Sequence, residues 1–393
     1  MPDSSSTDAH SGDSFVNIKT DIERILGLPF SPDNYVNPFE SGQLTFQAIL
    51  EAVSYAKKVI CIEFYIFKDD ETGRKLAEIL KEKAAQGVQI YLLYDHFGSF
   101  LTSYKFWSDL KKVGINVQVS HPFKWTSPTS YIYRNHKKLL IIDGRKVFIG
   151  GFNIADEYHG YVRKKKNRWR DTGIYLEGPI ASTMLDIFRH SWSRWRGSFD
   201  DVAIKHQDTY HGTYAIPVFA NSGRARRKMR RLFIYSIKNA KESILITTAY
   251  FFPSRRMLRA LENSAGRGIN VKLLLPGESD VLSVLYAGRA YYTRLLRAGV
   301  KIHNYHGSLL HSKTAVFDDK WSIAGSANLD MQSLRRNEES NVGILDKEFG
   351  RKMSEAFNRD LKEANKLDLA TWTERPLYQK FLEKMFAAIM KRL

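Results

Sequence analysis

The stretch NHKKLLIIDGRKVFIGGFN, residues 135–153, organises the reading of the whole chain. His136 and Lys138 stand two apart, so on extended backbone both side chains point to one face. Leu139 to Ile142 reads as a buried strand, Asp143-Gly144 as a tight hairpin turn, and Val147 to Ile149 as the returning strand. Gly150 and Gly151 let the backbone pass close to a neighbour, and Asn153 follows. The same plan recurs in LHSKTAVFDDKWSIAGSAN, residues 310–328. There His311, Lys313 and Asp318 keep the spacing of His136, Lys138 and Asp143, while Gly325, Ser326 and Asn328 match Gly150, Gly151 and Asn153.

Working outward, the repeat extends upstream of both stretches. VICIEFYIF (59–67) is followed by GRKLAEILKEKAAQG (73–87) and VQIYLLYD (88–95): strand, amphipathic helix, Gly, strand. ILITTAYFF (244–252), SRRMLRALENSAGRG (254–268) and INVKLLLP (269–276) repeat that order. Next, YKFWSDLKKVGINVQV (104–119) is echoed by YTRLLRAGVKIHNY (292–305), a helix ended by Gly114 or Gly299 and followed by a strand. A Gly there fits the left-handed residue that closes a helix. Strands alternating with helices predict an α/β fold with largely parallel pairing, built as two related lobes. Residues 14–200 form the first lobe and 201–365 the second, joined within the polar stretch 196–215. Residues 1–13 read as a disordered tail, and 366–393 as an amphipathic helical tail.

The bulk numbers narrow the partners. Sixty Lys and Arg against 42 Asp and Glu give a formal charge of +18, which favours phosphates, nucleic acid or an anionic membrane surface. A single cysteine, Cys61, excludes an intramolecular disulfide and a zinc–thiolate site; it lies in an apolar run and reads as core. The N-terminus lacks the apolar core of a signal peptide, and no window of about eighteen apolar residues predicts a spanning helix.

The doubled motif wants displacement at phosphorus. A neutral imidazole can attack a phosphodiester if a second group protonates the departing alkoxide, and two His from two lobes can divide those roles. Lys138, Lys313, Asn153 and Asn328 can hold the equatorial oxygens as charge builds, work that Mg²⁺ does elsewhere. No ligand set for a metal is evident, nor an HExxH or Walker-type loop. A lone His-x-Lys is common in solvated loops; two copies at equivalent places of two repeats reverse that weighting. Asp143 and Asp318 belong to the motif, yet as turn residues they are expected to brace the strand rather than touch substrate.

The pattern HxKx4D followed by Gly-Gly/Ser-x-Asn, twice in one chain, resembles the phospholipase D superfamily. GGFNIADEY (150–158), WRDTGIYLEGP (169–179), AYFFP (249–253), SDVLSVLYAGRAYYTRLLRAGV (279–300) and GSANLDMQSLRRNEE (325–339) look like its bacterial cardiolipin synthase branch. The resemblance implies two α/β lobes about a pseudo-two-fold axis, with one active site at their interface. It also implies a ping-pong reaction through a phosphohistidine, without metal or other cofactor. His136 is then the nucleophile and His311 the general acid/base. Lys138, Lys313, Asp143 and Asp318 complete the motifs, and a carboxylate downstream of each motif, Asp171 or Glu339, orients an imidazole. Where the branch usually has Asp-x-Arg-Ser, this chain has Asp330-Met331-Gln332-Ser333, which bears on how a headgroup phosphate is held.

Two basic runs, RKKKNRWR (163–170) and GRARRKMRR (223–231), and the terminal LYQKFLEKMFAAIMKRL (377–393) point to peripheral contact with anionic phospholipid. The terminal helix carries Leu377, Tyr378, Phe381, Leu382, Met385, Phe386, Ile389 and Met390 on an apolar face, with Glu383 and Lys384 opposite. It can lie on a membrane or pack on the second lobe. The expected location is the cytoplasmic face of a bacterial cell membrane. Transfer of a phosphatidyl group to the hydroxyl of another lipid is the leading expectation, with phosphatidylglycerol as donor. A phospholipase D or nuclease using water is the alternative, and the tail disfavours nucleic acid. A catalytically idle membrane scaffold is the third, and two intact motifs argue against it.

Overall fold

The computed structural model describes residues 7–123, 125–126, 132–159, 168–200 and 212–392. The first half runs α1 (Thr7–Leu26), β1 (Ser31–Phe39), α2 (Gly42–Ser54), β2 (Val59–Phe64), α3 (Glu71–Ala85), β3 (Gln89–Asp95) and α4 (Tyr104–Lys112). It continues with β4 (Asn116–Ser120), β5 (Lys138–Ile142), β6 (Lys146–Gly150), α5 (Asp156–His159), β7 (Trp169–Arg170), β8 (Gly173–Glu177) and α6 (Ile180–Arg194). The second half opens with β9 (Thr213–Phe219), α7 (Gly223–Asn239), β10 (Ser243–Thr247), α8 (Arg255–Gly266), β11 (Asn270–Pro276), α9 (Leu282–Arg289) and α10 (Tyr292–Arg297). Then come β12 (Lys301–Tyr305), β13 (Leu309–Leu310), β14 (Thr314–Phe317), β15 (Trp321–Gly325), α11 (Met331–Arg335), β16 (Ser340–Leu345) and α12 (Lys347–Asp360). The chain closes with β17 (Ala364–Lys366), α13 (Leu369–Thr373) and α14 (Leu377–Arg392).

Fifteen strands form one sheet in the order β17-β12-β11-β10-β14-β15-β16-β9-β1-β8-β6-β5-β2-β3-β4. Read outward from the central β9–β1 pair, the two flanks carry corresponding strands in the same sequence, and β17 is added at one edge. That is the pseudo-two-fold arrangement of an α/β fold. Within this sheet parallel pairing is confined, among the described residues, to β2-β3-β4 and β10-β11-β12. The expectation of a largely parallel sheet is therefore corrected. Three-residue hairpin connections join β5 to β6 and β14 to β15, and so short a connection forces its strands antiparallel.

Those turns follow from local chemistry. Asp143 and Gly144 have φ of 52° and 64°, and Asp318 and Asp319 of 54° and 51°: two consecutive left-handed residues, as the right-handed strand twist requires. Gly114 and Gly299 close their helices at φ of 87° and 90°, as the sequence predicts.

Alternating side chains divide the core between the two faces of the sheet. On β2, Ile60, Ile62 and Phe64 pack under α2, α3 and α4, while Val59 and Cys61 face the other way. That second face is shared by both halves: Met184 and Phe188 of α6 and Met353 and Phe357 of α12 belong to one cluster with Leu245 and Val342. On the outer face of the second half, Ile22 and Leu26 of α1 pack with Met229 and Phe233 of α7. The first helix thus covers the half to which it does not belong in sequence, tied there by Tyr235 donating to Asp21 at 2.7 Å.

Three boundaries differ from expectation. Helix α1 begins at Thr7, so the stretch to residue 13 expected to be disordered is helical over 7–13; its anchored end on α7 carries the helix, and residues 1–6 lie outside the described residues. The linker expected over 196–215 ends in strand β9 at the centre of the sheet, and 201–211 lie outside the described residues. The C-terminal segment begins inside the sheet, because β17 pairs with β12.

Candidate active site

His136 lies just ahead of β5 and His311 just ahead of β14. Each is held by a segment of the other half. The His136 amide donates to the Glu338 carbonyl at 2.8 Å, and the His311 amide to the Arg170 carbonyl at 2.8 Å. Asn135 bridges Glu338, and β13 pairs with β7 in the matching way. The two-fold relation therefore brings the ends of both motifs to one place at the middle of the sheet.

The carboxylates are exchanged across the same interface. His136 Nδ1 donates to Glu339 Oε2 at 3.0 Å, and His311 Nδ1 donates to Asp171 Oδ2 at 2.6 Å. Each carboxylate downstream of one motif thus serves the imidazole of the other motif. Sequence spacing could not show this crossing, because the partners are 203 and 140 residues apart. Glu339 is fixed further by Ser326 Oγ at 2.5 Å and Asn337 Nδ2 at 3.2 Å, and Asp171 by the Thr172 amide at 2.7 Å. The close approach expected of Gly151 is to Asp171: a methyl group there would meet its Oδ1 at 2.3 Å. With Nδ1 engaged, Nε2 of each ring is left for the cavity.

Burial dominates the titration of the site. It lowers His136, with Glu339 opposing and Lys138 assisting, and pushes His311 well below its ordinary value with help from Lys313 and Lys138. Both rings are thus neutral when no anion is bound. Burial lowers Lys138 strongly, and brings Lys313 down to about 8 against the pull of Asp171 and Glu339. Burial raises Asp171 to about 6, opposed first by Lys313.

The lysines sit behind the imidazoles. Lys138 Nζ donates to the His136 carbonyl at 2.8 Å and lies 5.2 Å from the centre of the Tyr65 ring. Lys313 Nζ donates to the His311 carbonyl and lies 2.7 Å from His311 Nδ1. Since an ammonium is only a donor, the hydrogen bond of that nitrogen belongs to Asp171. Asn153 accepts from the Ile66 amide at 3.1 Å and donates to Tyr158 at 2.8 Å; Asn328 accepts from the Tyr250 amide at 3.2 Å. Both asparagines line the cavity with the two His.

Asp143 and Asp318, the third members of the motifs, are not in the cavity. Asp143 accepts from the amides of Lys57, Lys58 and Val59, and Asp318 from those of Lys241, Glu242 and Ser243. A five-residue strand separates Asp143 from Lys138, about 16 Å at the usual rise. Their grouping with the catalytic residues is corrected: they brace the start of the neighbouring strand, as turn residues do.

The cavity measures about 820 Å³. Aromatic rings enclose the imidazoles: Tyr65 lies 5.0 Å from His136 between ring centres, and Trp169 and Tyr158 lie 5.0 and 5.2 Å from His311. Phe97, Ile132, Val284 and Met331 make an apolar wall, with Arg134, Arg335 and Lys391 among the cations. These residues carry no motif and escape a sequence reading, apart from the aromatic clusters that end FYIF and AYFF. Also missed is Lys137, which is 0% exposed and bonds Glu63 at 2.8 Å, Glu338 at 2.7 Å and Ser191 at 2.9 Å. Its counterpart in the second motif is Ser312, so this ion cluster belongs to one half only. Gln332, where an Arg was expected, donates to the Ile132 carbonyl at 2.8 Å and to Asn337 at 3.0 Å. Among the described residues no group of three His, Cys, Asp or Glu is placed to hold a metal ion.

Comparison with known proteins agrees with this geometry. The family described as "Cardiolipin synthase, PLD-like domain" matches residues 49–192 and 233–361. Cardiolipin synthase 2 of Bacillus anthracis is 34% identical over 369 residues, covering 93% of this chain and 72% of its own length. The major cardiolipin synthase of Bacillus subtilis (strain 168) is 35% identical over 361 residues, covering 91% and 75%. Among solved structures, phosphatidylserine synthase of Haemophilus influenzae Rd KW20 superposes with a TM-score of 0.72 at 14% identity, over 94% of this chain and 97% of that one, which shows a shared fold. With both His-x-Lys motifs inside the matched segments, the chain belongs to the cardiolipin synthase family of phospholipase D-like proteins.

Proposed function

We propose that the protein is a phosphatidyltransferase that moves the phosphatidyl group of one phospholipid, phosphatidylglycerol, to a hydroxyl of another and yields cardiolipin. The observation that carries this reading is the pair of neutral imidazoles from opposite halves, facing one cavity with each Nδ1 anchored on a carboxylate. The names of the relatives supply the lipid.

His136 is the nucleophile, as the resemblance implies; at 9% against 3% exposure it is also the more accessible ring. Its Nε2 attacks phosphorus, the P–N bond forms, and the P–O bond to the departing glycerol breaks. His311 gives that oxygen its proton. It is neutral in the empty site, and the entering phosphodiester anion favours its protonation. Asp171, at 2.6 Å, then stabilises the imidazolium. In the second step His311 takes the proton of the acceptor hydroxyl, whose oxygen displaces His136. Lys138 and Lys313 supply positive charge beside the phosphoryl oxygens, so the steps need no metal.

The protein works at a membrane surface. No helix among the described residues is long and apolar enough to span a bilayer. Helix α14 leaves Leu377 79% and Phe381 66% exposed, while Met390 and Lys391 on the same helix line the cavity. The exposed end of α14 therefore dips into the interface beside the cavity mouth. The cytoplasmic face of a bacterial cell membrane is the assigned location.

Expression in a bacterial host lacking cardiolipin, followed by mass spectrometry of the lipid extract, tests the reading. A new diphosphatidyl lipid that disappears in His136→Asn and His311→Asn is expected. Soluble protein without that lipid would overturn it, and phosphatidate in its place would indicate water as acceptor.

A further inference from the structure

A second cavity of about 650 Å³ lies against the first, lined by His121, Tyr133, Arg194, Arg226, Arg336 and Glu338, among others. The two adjoin along residues 132–134 and 336–338. Ile132 and Arg134 line the catalytic cavity and Tyr133 lines the second. Asn337 and Glu338 divide in the same way, and Arg336 lines both cavities.

The second cavity carries net positive charge. Its carboxylate, Glu338, is already satisfied by Lys137 at 2.7 Å and Arg194 at 2.8 Å. Although burial opposes it, Lys137, His121 and Arg194 keep that carboxyl well below the usual range. Among the described residues no carboxylate lies within ion-pair distance of Arg226 or Arg336, and Glu338 acts on Arg226 only through its more distant charge. Arg226 has an Nε buried without a hydrogen-bond partner, its guanidinium 5.8 Å from the Tyr133 ring centre. Helix α7, 17 residues long, starts at this cavity: Ser222 caps it at the Ala225 amide, and Ser222 and Gly223 are part of the lining. Charge and helix start thus act in the same direction.

Among the described residues the site exists in one half only. The matching helix start in the first half, Ser41-Gly42 on α2, is closed: a methyl on Gly42 would meet the Tyr158 carbonyl at 1.7 Å. At Gly223 the nearest atoms are the guanidinium groups of Arg227 and Arg226, at 3.8 and 4.0 Å. The catalytic groups are nearly two-fold symmetric, whereas this cavity is not.

We infer that the second cavity holds the phosphodiester of the acceptor lipid, bound by Arg226 and Arg336 while its hydroxyl reaches the phosphoryl group in the first cavity. This rests on the transfer reaction proposed above. A phosphate-free alcohol would not use the cavity, so acceptor choice separates the two sites.

The test offers the purified enzyme phosphatidylglycerol in mixed micelles containing ethanol, and measures cardiolipin and phosphatidylethanol together. Both products arise from one intermediate, so their ratio reads the acceptor step and is independent of the fraction folded. Arg226→Gln is expected to lower the cardiolipin-to-phosphatidylethanol ratio about tenfold, the usual scale of one lost charge-assisted hydrogen bond. Arg336→Gln is expected to lower it as well. Inorganic phosphate identifies the source of the anion. If it lowers the ratio in the wild type but not in Arg226→Gln, the cavity accepts any phosphate; if it acts on neither while the variants still fall, the phosphate must be borne by lipid. An unchanged ratio in both variants overturns the inference and leaves the transfer reaction standing. Absence of both products from the wild type would remove the reaction itself, and this inference with it.

Discussion

Asp143 and Asp171 are both carboxylates that follow the first His-x-Lys, yet they do different work. Asp143 collects three backbone amides at a strand start. Asp143→Ala should therefore cost about 1–3 kcal/mol in denaturant unfolding, with kcat of the folded fraction little changed. Asp171→Asn should leave unfolding almost untouched and lower kcat by about 10²–10⁴. Nitrogen NMR of labelled histidine should show the change at His311 and not at His136, because the carboxylates are exchanged between halves. Lys313 gives a pH test. Its pKa of about 8 means the ammonium is lost as pH rises through that value, so kcat/KM should fall on the alkaline side near pH 8. His136, which must be neutral to attack and is lowered by burial, places the acid limb below the ordinary histidine range. A profile flat to pH 10 would exclude Lys313 from the reaction. At this scale the identities of the motif residues were legible because chemistry limits which side chains attack phosphorus. The exchange of Asp171 and Glu339 between the halves was not, nor was the packing of Tyr65 and Trp169 on the imidazoles, since these arise from distant segments through folding alone.

Helix α14 shows how far periodicity carries at the scale of an element. An apolar face was expected opposite Glu383 and Lys384. The structure instead buries Glu383, which accepts from Arg375 Nε at 3.0 Å and Nη2 at 2.5 Å. Phe386 stacks on Tyr286 of α9 with centroids 5.9 Å apart, and Ala387 is buried beside Phe252 and Ala287. The helix is thus rotated from the face that hydrophobicity alone selects, because a buried ion pair and one small residue fit α9. Leu377, Tyr378 and Phe381 are left in solvent as a consequence. Leu377→Ser with Phe381→Ser should weaken binding to phosphatidylglycerol vesicles at least tenfold in sedimentation, with an unchanged melting temperature. Glu383→Ala should act differently: it leaves Arg375 unpaired, lowers the melting temperature and loosens α14 from the cavity wall. Strands and helices of the two repeats were legible because their periods are long and regular. Residues 163–167 of the basic run at 163–170 lie outside the described residues, whereas the run at 223–231 forms the start of α7, where Arg230 donates to the Leu334 carbonyl at 2.5 Å.

At the scale of the molecule, a doubled sequence becomes one sheet with one site. The internal repeat made the two halves legible. It could not show that β1 and β9 join them edge to edge, or that α1 crosses to the far half. Because the shared face is covered by α6 and α12 over strands of both halves, calorimetry should record a single cooperative transition. Two separated transitions would mean that the halves are independent. The central claim is that this composite site transfers a phosphatidyl group through His136. Rapid alkaline quenching of the enzyme with phosphatidylglycerol, followed by peptide mass spectrometry, tests it most directly. A phosphatidyl adduct on His136, absent from His136→Asn, is the predicted result; cardiolipin formed with no adduct, or with the adduct on His311, would contradict it.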